Sequence, residues 1–378
     1  MRVMIVVTHL LGTGHLARAL TLARAFDSAG WQCSIVSGGM PAPHLDRGDL
    51  SLTQLPPVRS DGVNFARLLD GPGRPVEPEY MAQRESFLVA ALTRYRPDVL
   101  ITELFPFGRR VLGQEFTTLL ETAKSTRPAP LICASIRDIL APPSKPQKAA
   151  RTDQLIDTFY DAVLVHADAS VTPLELSWPV SDRLRPKLHY TGFVAPPAAP
   201  PHAQALGAGG VLVSAGGGDV GRALFETALE AAVHSAHPWR VLVGGQNAAA
   251  QVAALVARAP TNVTVEPARP DFRSLLHHAA ASVSMCGYNT ALDLLQSGCP
   301  AVLVPFDAGA EVEQSLRAQA LAQQPGFDVI KSAALNPSKL NAALARVIEA
   351  PRRPPAQEGL NGAAQTVELV ARLLESRR

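Results

Sequence analysis

What most limits the folds open to this chain is a regular alternation. Apolar runs of four to six residues, rich in Val, Ile and Leu, are separated by longer stretches with apolar residues at helical spacing. A strand with no polar face must be covered on both sides, which points to parallel strands joined by crossover helices. In the first half, 3–8, 33–37, 99–102, 131–134 and 162–165 read as strands, and 15–29, 80–94, 109–124 and 149–160 as helices. Pro196, Pro197, Pro200 and Pro201, then Gly207, Gly209 and Gly210, interrupt the pattern as a semi-rigid linker would. The alternation then restarts. Strands fit 211–214, 240–243, 263–265, 281–284 and 301–304, with a short one at 327–330. Helices fit 220–236, 248–257, 272–278, 290–297, 312–323 and 338–349. Pro351, Pro354 and Pro355 precede a last amphipathic helix over 362–375.

The expected fold is α/β, with two doubly wound Rossmann-like domains facing a cleft. The first spans 1–193, a linker 194–207 and the second domain 208–350; a proline hinge and final helix, 351–378, cross back to the first domain. In such sheets ligands bind beyond the carboxyl ends of the strands. Length allows this, since 378 residues can bury two cores without disulfides or structural metals. Lys plus Arg is 35 and Asp plus Glu is 33, a balance that gives no field for nucleic acid. Cys33, Cys133, Cys286 and Cys299 lie far apart and form neither a zinc pattern nor a disulfide framework. No apolar run reaches the roughly 18 residues of a membrane span, and residues 1–7 are too short for a signal peptide. A cytoplasmic protein is expected, with peripheral membrane contact left open.

Three loops carry the chemistry. Gly12-Thr13-Gly14-His15 follows the first strand and opens the first helix. The loop resembles a dinucleotide fingerprint, but the second strand ends at Ser37-Gly38-Gly39 without the acid that would hold a ribose. His15 stands at a helix N-terminus, where the dipole disfavours imidazolium and leaves a neutral ring able to accept a proton. The structural alternative is a histidine that merely caps the turn. Gly216-Gly217-Gly218-Asp219 follows the first strand of the second domain and reads as a backbone anion site suited to a pyrophosphate, or as a tight turn. The third loop, Cys286-Gly287-Tyr288-Asn289-Thr290, presents another helix N-terminus, with Asp293 one turn in and placed to take ribose hydroxyls. Upstream, Ala268-Arg269-Pro270-Asp271 offers backbone groups to a base edge, and Glu313-Gln314 opens a later helix.

These pieces, in this order and spacing, resemble the nucleotide-sugar glycosyltransferases of the two-domain GT-B fold. The likeness is to the peptidoglycan N-acetylglucosaminyltransferases, family 28, and their uncharacterised bacterial relatives. It covers most of the chain and is concentrated in the C-terminal domain. The resemblance implies that Gly216, Gly217, Gly218 and Asp219 line the donor diphosphate, with Gly287, Asn289 and Thr290 beside it. It puts Asp293 where the family has a ribose-binding Glu, Gln314 on the donor sugar and the Arg269 backbone on the base. Gly12, Thr13 and Gly14 become the acceptor-side loop. The co-substrate implied is a nucleotide-sugar, UDP-linked by resemblance, with no cofactor and an unidentified acceptor. The family's longer Gly-Gly-Thr-Gly-Gly-His loop is abbreviated here, in the manner of a related hydrolase that cleaves a UDP-linked amino sugar. The family's apolar and basic membrane patch is not evident, so its lipid acceptor is not carried over.

The expected reaction is inverting transfer of a sugar to an acceptor hydroxyl, with His15 as base and the glycine loops stabilising the departing diphosphate. No Asp-x-Asp occurs in the chain, so metal independence is expected. Glu103, after another first-domain strand, either orients His15, binds acceptor or is a plain surface acid. Acceptor choice is assigned to loops such as 61–79, and hinge motion to 194–207 and 351–355. The competing readings are a UDP-sugar hydrolase or epimerase on the same fold, and a non-catalytic nucleotide-sugar-binding protein.

Overall fold

The structure, a computed structural model, describes residues 1–10, 12–43, 45–60, 67–216, 221–245, 247–307, 311–356 and 358–377. Gly217, Gly218, Asp219 and part of the 61–79 loop lie outside the described residues. The chain divides into two compact units, Met1–Pro196 with Asn361–Arg378, and Pro197–Leu360.

In the first unit the strands are β1 (Arg2–Val7), β2 (Gln32–Ser37), β3 (Ser51–Gln54), the short β4 (Arg59–Ser60) and β5 (Leu68–Leu69), β6 (Val99–Glu103), β7 (Leu131–Arg137), β8 (Ala162–His166) and β9 (Leu188–Tyr190). All but β4 and β5 join one sheet, in the order β3-β2-β1-β6-β7-β8-β9. Its neighbouring strands all run parallel. Helices α1 (Gly14–Ser28), α2 (Pro78–Tyr95), α3 (Gly113–Ser125) and α4 (Pro146–Phe159) supply the crossovers. Residues 3, 5 and 7 of β1 share one face of the pleat. There Val3, Ile5 and Val7 meet Leu16, Ala19, Leu20, Ala23 and Phe26, the three-and-four-spaced stripe of α1. Each large side chain buried this way contributes about 1.5–3 kcal/mol. Arg84 is fully buried, pairs with both oxygens of Glu115 at 2.9 and 3.0 Å, and donates to the Gly38 and Pro56 carbonyls. The segment after β2 is thereby held at the carboxyl edge of the sheet.

The second unit repeats the plan. Strands β10 (Val211–Ser214), β11 (Trp239–Val243), β12 (Val263–Pro267), β13 (Ala281–Ser284), β14 (Ala301–Leu303) and β15 (Phe327–Val329) form a parallel sheet in the order β12-β11-β10-β13-β14-β15. Its helices are α5 (Arg222–Ala232), α6 (Ala248–Val256), α7 (Phe272–Leu275), α8 (Tyr288–Ser297), α9 (Glu313–Leu321) and α10 (Pro337–Glu349). Val211 and Val213 pack with Leu224, Phe225 and Ala228 of α5, and Leu340, Ala343 and Leu344 of α10 belong to the same core. Helix α11 (Gly362–Glu375) returns to the first unit, where Val370 is buried beside the α1 stripe.

Several sequence expectations are corrected. The helix expected over 109–124 starts at Gly113, because Arg109 adopts a left-handed conformation (φ 59°) and a single 3-10 turn, Arg110–Leu112, intervenes. Helices α2, α4 and α10 begin earlier than expected, each with a proline in the first turn, where its missing N–H costs nothing. The helix expected over 272–278 is only the four residues of α7. The polar edge strand β3 and the three-residue β9 were not expected. The segment 351–355 differs from the expected hinge. Arg352 donates to the carbonyls of Leu276, His277 and Ala279, and Arg353 donates to the Cys299 carbonyl. Arg353 also lies 3.8 Å over the Phe327 ring. These bonds tie the prolines to the second unit, and residues 351–360 belong with it.

Candidate functional site

Strand order turns around in each sheet at its first strand. In the first unit β2 lies on one side of β1 and β6 on the other; in the second, β11 and β13 flank β10. The loops leaving the carboxyl ends of strands at such a point diverge and open a crevice, where α/β sheets bind ligands. The loop after β1 carries Gly12, Thr13, Gly14 and His15, and β6 ends at Glu103. The loop after β10 begins at Ala215-Gly216, and the one after β13 is Met285-Cys286-Gly287.

At the first of these points a buried polar chain runs beneath His15. Its Nδ1 lies 2.9 Å from Glu103 Oε1. Arg18, one turn along α1, donates to the same oxygen and has its Nη2 3.2 Å from His15 Nδ1. Ser135, the β7 neighbour of Glu103 in register, donates its hydroxyl to Glu103 Oε2 at 2.6 Å. His166 Nε2 sits 3.0 Å from that hydroxyl and its Nδ1 2.8 Å from Thr191 Oγ1. Glu103 is 1 % exposed, so the surface-acid reading is corrected, and both its oxygens are engaged inside the protein.

Charge state follows from this geometry. Burial alone would raise the Glu103 carboxyl, but the Arg18 guanidinium and the His15 and Ser135 hydrogen bonds hold it well below the usual carboxylate range. Burial lowers His15 to about 3; the Glu103 hydrogen bond opposes this, and the Arg18 and Arg109 charges add to it. Burial likewise lowers His166 to about 3, helped by Arg18. Both rings are neutral at ordinary pH. Glu103 can only accept and Arg18 can only donate, so Nδ1 can bond to one of them. The shorter 2.9 Å contact to the ionised carboxylate puts the proton on Nδ1, leaves Arg18 a contact rather than a donor there, and keeps the lone pair on Nε2. A neutral imidazole with a carboxylate behind Nδ1 and a lone pair on Nε2 is the arrangement of a general base.

In the second unit, Gly216 stands at φ 78° and donates its N–H to Ser214 Oγ at 3.1 Å. Gly221 closes the loop, for a Cβ there would lie 2.3 Å from that of Ala215. Gly287 caps α8, Asn289 is exposed and Thr290 half-buried, so the N-terminal turn of α8 lies at the carboxyl edge of the sheet, with its backbone N–H groups at the positive end of the helix dipole. Asp293 differs from expectation. Its Oδ1 accepts from Arg273 Nε at 2.7 Å, while Arg273 Nη2 also reaches Gln296 Oε1 and the Pro197 carbonyl, each at 2.7 Å. One carboxylate oxygen is therefore already engaged. Burial lifts Asp293 to about 6 despite the opposing Arg273 charge.

Gln314 accepts the Phe306 N–H on Oε1 at 3.1 Å, which leaves its amide nitrogen to donate. Arg269 is clamped by Asp271 at 2.7 and 2.8 Å, so its side chain holds the loop rather than reaching outward. Sequence reading missed the role of Arg317, which is buried and donates to the Cys286 carbonyl at 3.0 Å, pinning the turn before α8. It also missed Arg18, Ser135, His166 and Arg273.

Comparison with solved structures identifies the fold. Acinetobacter baumannii MurG matches with a TM-score of 0.63 and 17% identity, over 98% of this chain and 99% of that one. The glycosyltransferase VinC, solved with dTDP, matches with a TM-score of 0.63 and 17% identity over 100% of both chains. The fold is that of the GT-B glycosyltransferases. More specifically, residues 215–373 match the glycosyltransferase family 28 C-terminal domain. An Agrobacterium fabrum protein described as UDP-N-acetylglucosamine–N-acetylmuramyl-(pentapeptide) pyrophosphoryl-undecaprenol N-acetylglucosamine transferase is 34% identical over 89 residues, 24% of each chain. A Rhizobium johnstonii protein of the same description is 31% identical over 102 residues, 27% of each. The alignment thus spans about a quarter of these curated relatives. The chain has the GT-B fold, and the family 28 match is confined to its C-terminal part, less than half of its length.

Proposed function

We propose that the protein transfers a sugar from a nucleotide-sugar to an acceptor hydroxyl with inversion. The observation that carries this reading is the neutral His15, backed at 2.9 Å by an ionised, buried Glu103, at the end of a first-unit strand. His15 Nε2 takes the acceptor proton as the acceptor oxygen attacks the anomeric carbon. The bond from that carbon to the diphosphate oxygen breaks, and the nucleoside diphosphate leaves with the electron pair. In the second unit, Gly216, Gly217 and Gly218 with the α8 amides of Gly287, Asn289 and Thr290 receive the diphosphate, as helix N-termini and glycine loops do. Asp293 takes a ribose hydroxyl, Gln314 donates to the sugar and the Arg269 loop offers backbone groups to the base. Metal independence rests on the sequence, which lacks Asp-x-Asp.

The nucleotide is read as uridine because the curated relatives are described as UDP-N-acetylglucosamine transferases. The VinC structure holds dTDP, so thymidine is the comparison to make. A thermal-shift panel of UDP, GDP, dTDP and UDP-sugars, with and without magnesium, tests the donor site, because a ligand of the folded state raises Tm by mass action. A magnesium-independent shift with UDP is expected; no shift with any nucleotide removes the reading. The abbreviated Gly-Thr-Gly-His loop favours one alternative, hydrolysis with water in place of acceptor. Release of free sugar from a UDP-sugar without added acceptor, at the rate of nucleotide release, would establish it instead.

A further inference from the structure

We propose that Arg18 is the positioning residue that lets His15 serve as a neutral base, by supplying the one positive charge that the buried Glu103 requires. The argument is electroneutrality. Glu103 is 1 % exposed and Arg18 6 %. A buried carboxylate is tolerated only with a cation beside it or a proton on it. Two groups can supply that cation, and both address the same oxygen: Arg18 Nη2 and His15 Nδ1 converge on Oε1. Because Arg18 is permanently charged, the trio is neutral with His15 unprotonated. Without Arg18, the same balance is restored by putting the proton on His15, and a protonated ring has no lone pair to offer.

The remaining surroundings do not replace Arg18. Ser135 from β7 donates a neutral hydroxyl to Oε2, and His166 from β8 lies behind that hydroxyl rather than on the carboxylate. Arg109, from the loop after β6, acts on His15 through space, while its Nε is bonded to the Thr8 carbonyl at 2.5 Å. Arg18 is thus the cation in contact with both members of the pair. The carboxylate behind a histidine ordinarily strengthens it as a base by favouring imidazolium; here burial first, and the arginine with it, outweigh that effect and leave the carboxylate to fix the tautomer.

This proposal rests on His15 being the base, and its test is independent of turnover. The full chain is labelled with 15N-histidine and its ring nitrogens followed through a pH titration, His15 being assigned from the signal lost in His15→Gln. Wild type should show the neutral Nδ1–H tautomer across the neutral range. Arg18→Met should move protonation of the His15 ring to higher pH, although burial still opposes it, and Arg18→Lys should move it back toward wild type. A His15 titration that is unshifted in folded Arg18→Met would overturn the proposal. Should that variant not fold, Arg18→Gln keeps a donor beside Glu103 without the charge: the same upward shift of His15 is expected, and an unshifted titration would overturn the proposal. Loss of activity in His15→Ala addresses the base assignment separately, so the two failures are distinguishable.

Discussion

In the first sheet β1 stands between β2 and β6, and in the second β10 stands between β11 and β13, so the two units share one plan around the point where strand order reverses. What each places there differs. The first unit spends side chains, assembling His15, Arg18, Glu103, Ser135 and His166 from α1 and three adjacent strands into one buried network. The second presents glycine backbone and the first turn of α8, with Asp293 a turn further along and Arg273 reaching it from α7. A proton acceptor needs a fixed tautomer and a tuned charge, which only an over-determined side-chain network provides. A diphosphate needs close approach and several N–H donors, which side chains would obstruct. On the proposed reading, one topology serves two tasks by changing which atoms stand at the carboxyl ends of its strands.

Four experiments sharpen or break this contrast. The largest effect belongs to the first unit: His15→Ala should lower turnover by about 10²- to 10⁴-fold with UDP affinity unchanged, as steady-state kinetics and calorimetry would read. A matching loss of affinity would mean that His15 belongs to the donor site and that the division of labour is wrong. Next, Arg84→Ala should cost about 3–5 kcal/mol in denaturant unfolding, because it strands the buried Glu115. A loss within the noise would mean that water reaches Glu115 and that the network depends on less than its burial implies.

In the second unit, Asp293→Asn should weaken UDP binding about tenfold while leaving turnover at saturating donor near wild type. The same residue sets a pH dependence. Burial lifts its carboxyl to about 6, so the ionised form that the proposed ribose contact needs is present above that value and lost as pH falls through it. Wild-type UDP affinity should fall on that acid side, and Asp293→Asn should flatten the profile. Folding linkage runs the other way: a carboxyl raised above its unfolded value favours the folded state as pH drops through this range. The smallest effect is Gly216→Ala. At φ 78° an added Cβ meets no atom within 4 Å, so only backbone strain of about 1 kcal/mol is expected in the melting curve.

Much of the architecture was legible because it is written locally. The strand runs are rich in Val, Ile and Leu, and His15, Gly216 and Gly287 each sit where a strand pattern gives way to a helix pattern. The short strands β3 and β9 escaped because edge strands need little burial and carry little apolar signal. Of the network behind His15, the sequence offered Glu103 as one of several readings and nothing more. Arg18 and Glu103 are 85 residues apart, and Glu103 and Ser135 are 32, joined only through the register of β6 on β7. In the sequence Arg18 is one more basic residue on a helix. Arg273 was hidden in the same way: a four-residue helix has no periodicity to show that its arginine turns inward onto Asp293.

Helix α11 has a consequence for how the protein is made. The ends that flank the second unit meet: Val194 pairs with Asn361 across one antiparallel bridge, and Gly362 packs so closely that a Cβ would lie 2.2 Å from the Gly192 carbonyl oxygen. The second unit is in effect an insertion in the first, and α11 fills a face of the core that α1 begins. On the ribosome, then, the unit whose synthesis starts first is the one completed last. Until residues 361–378 emerge, the nascent chain carries an open apolar face on α1 for as long as the ribosome takes to translate the whole of the second unit.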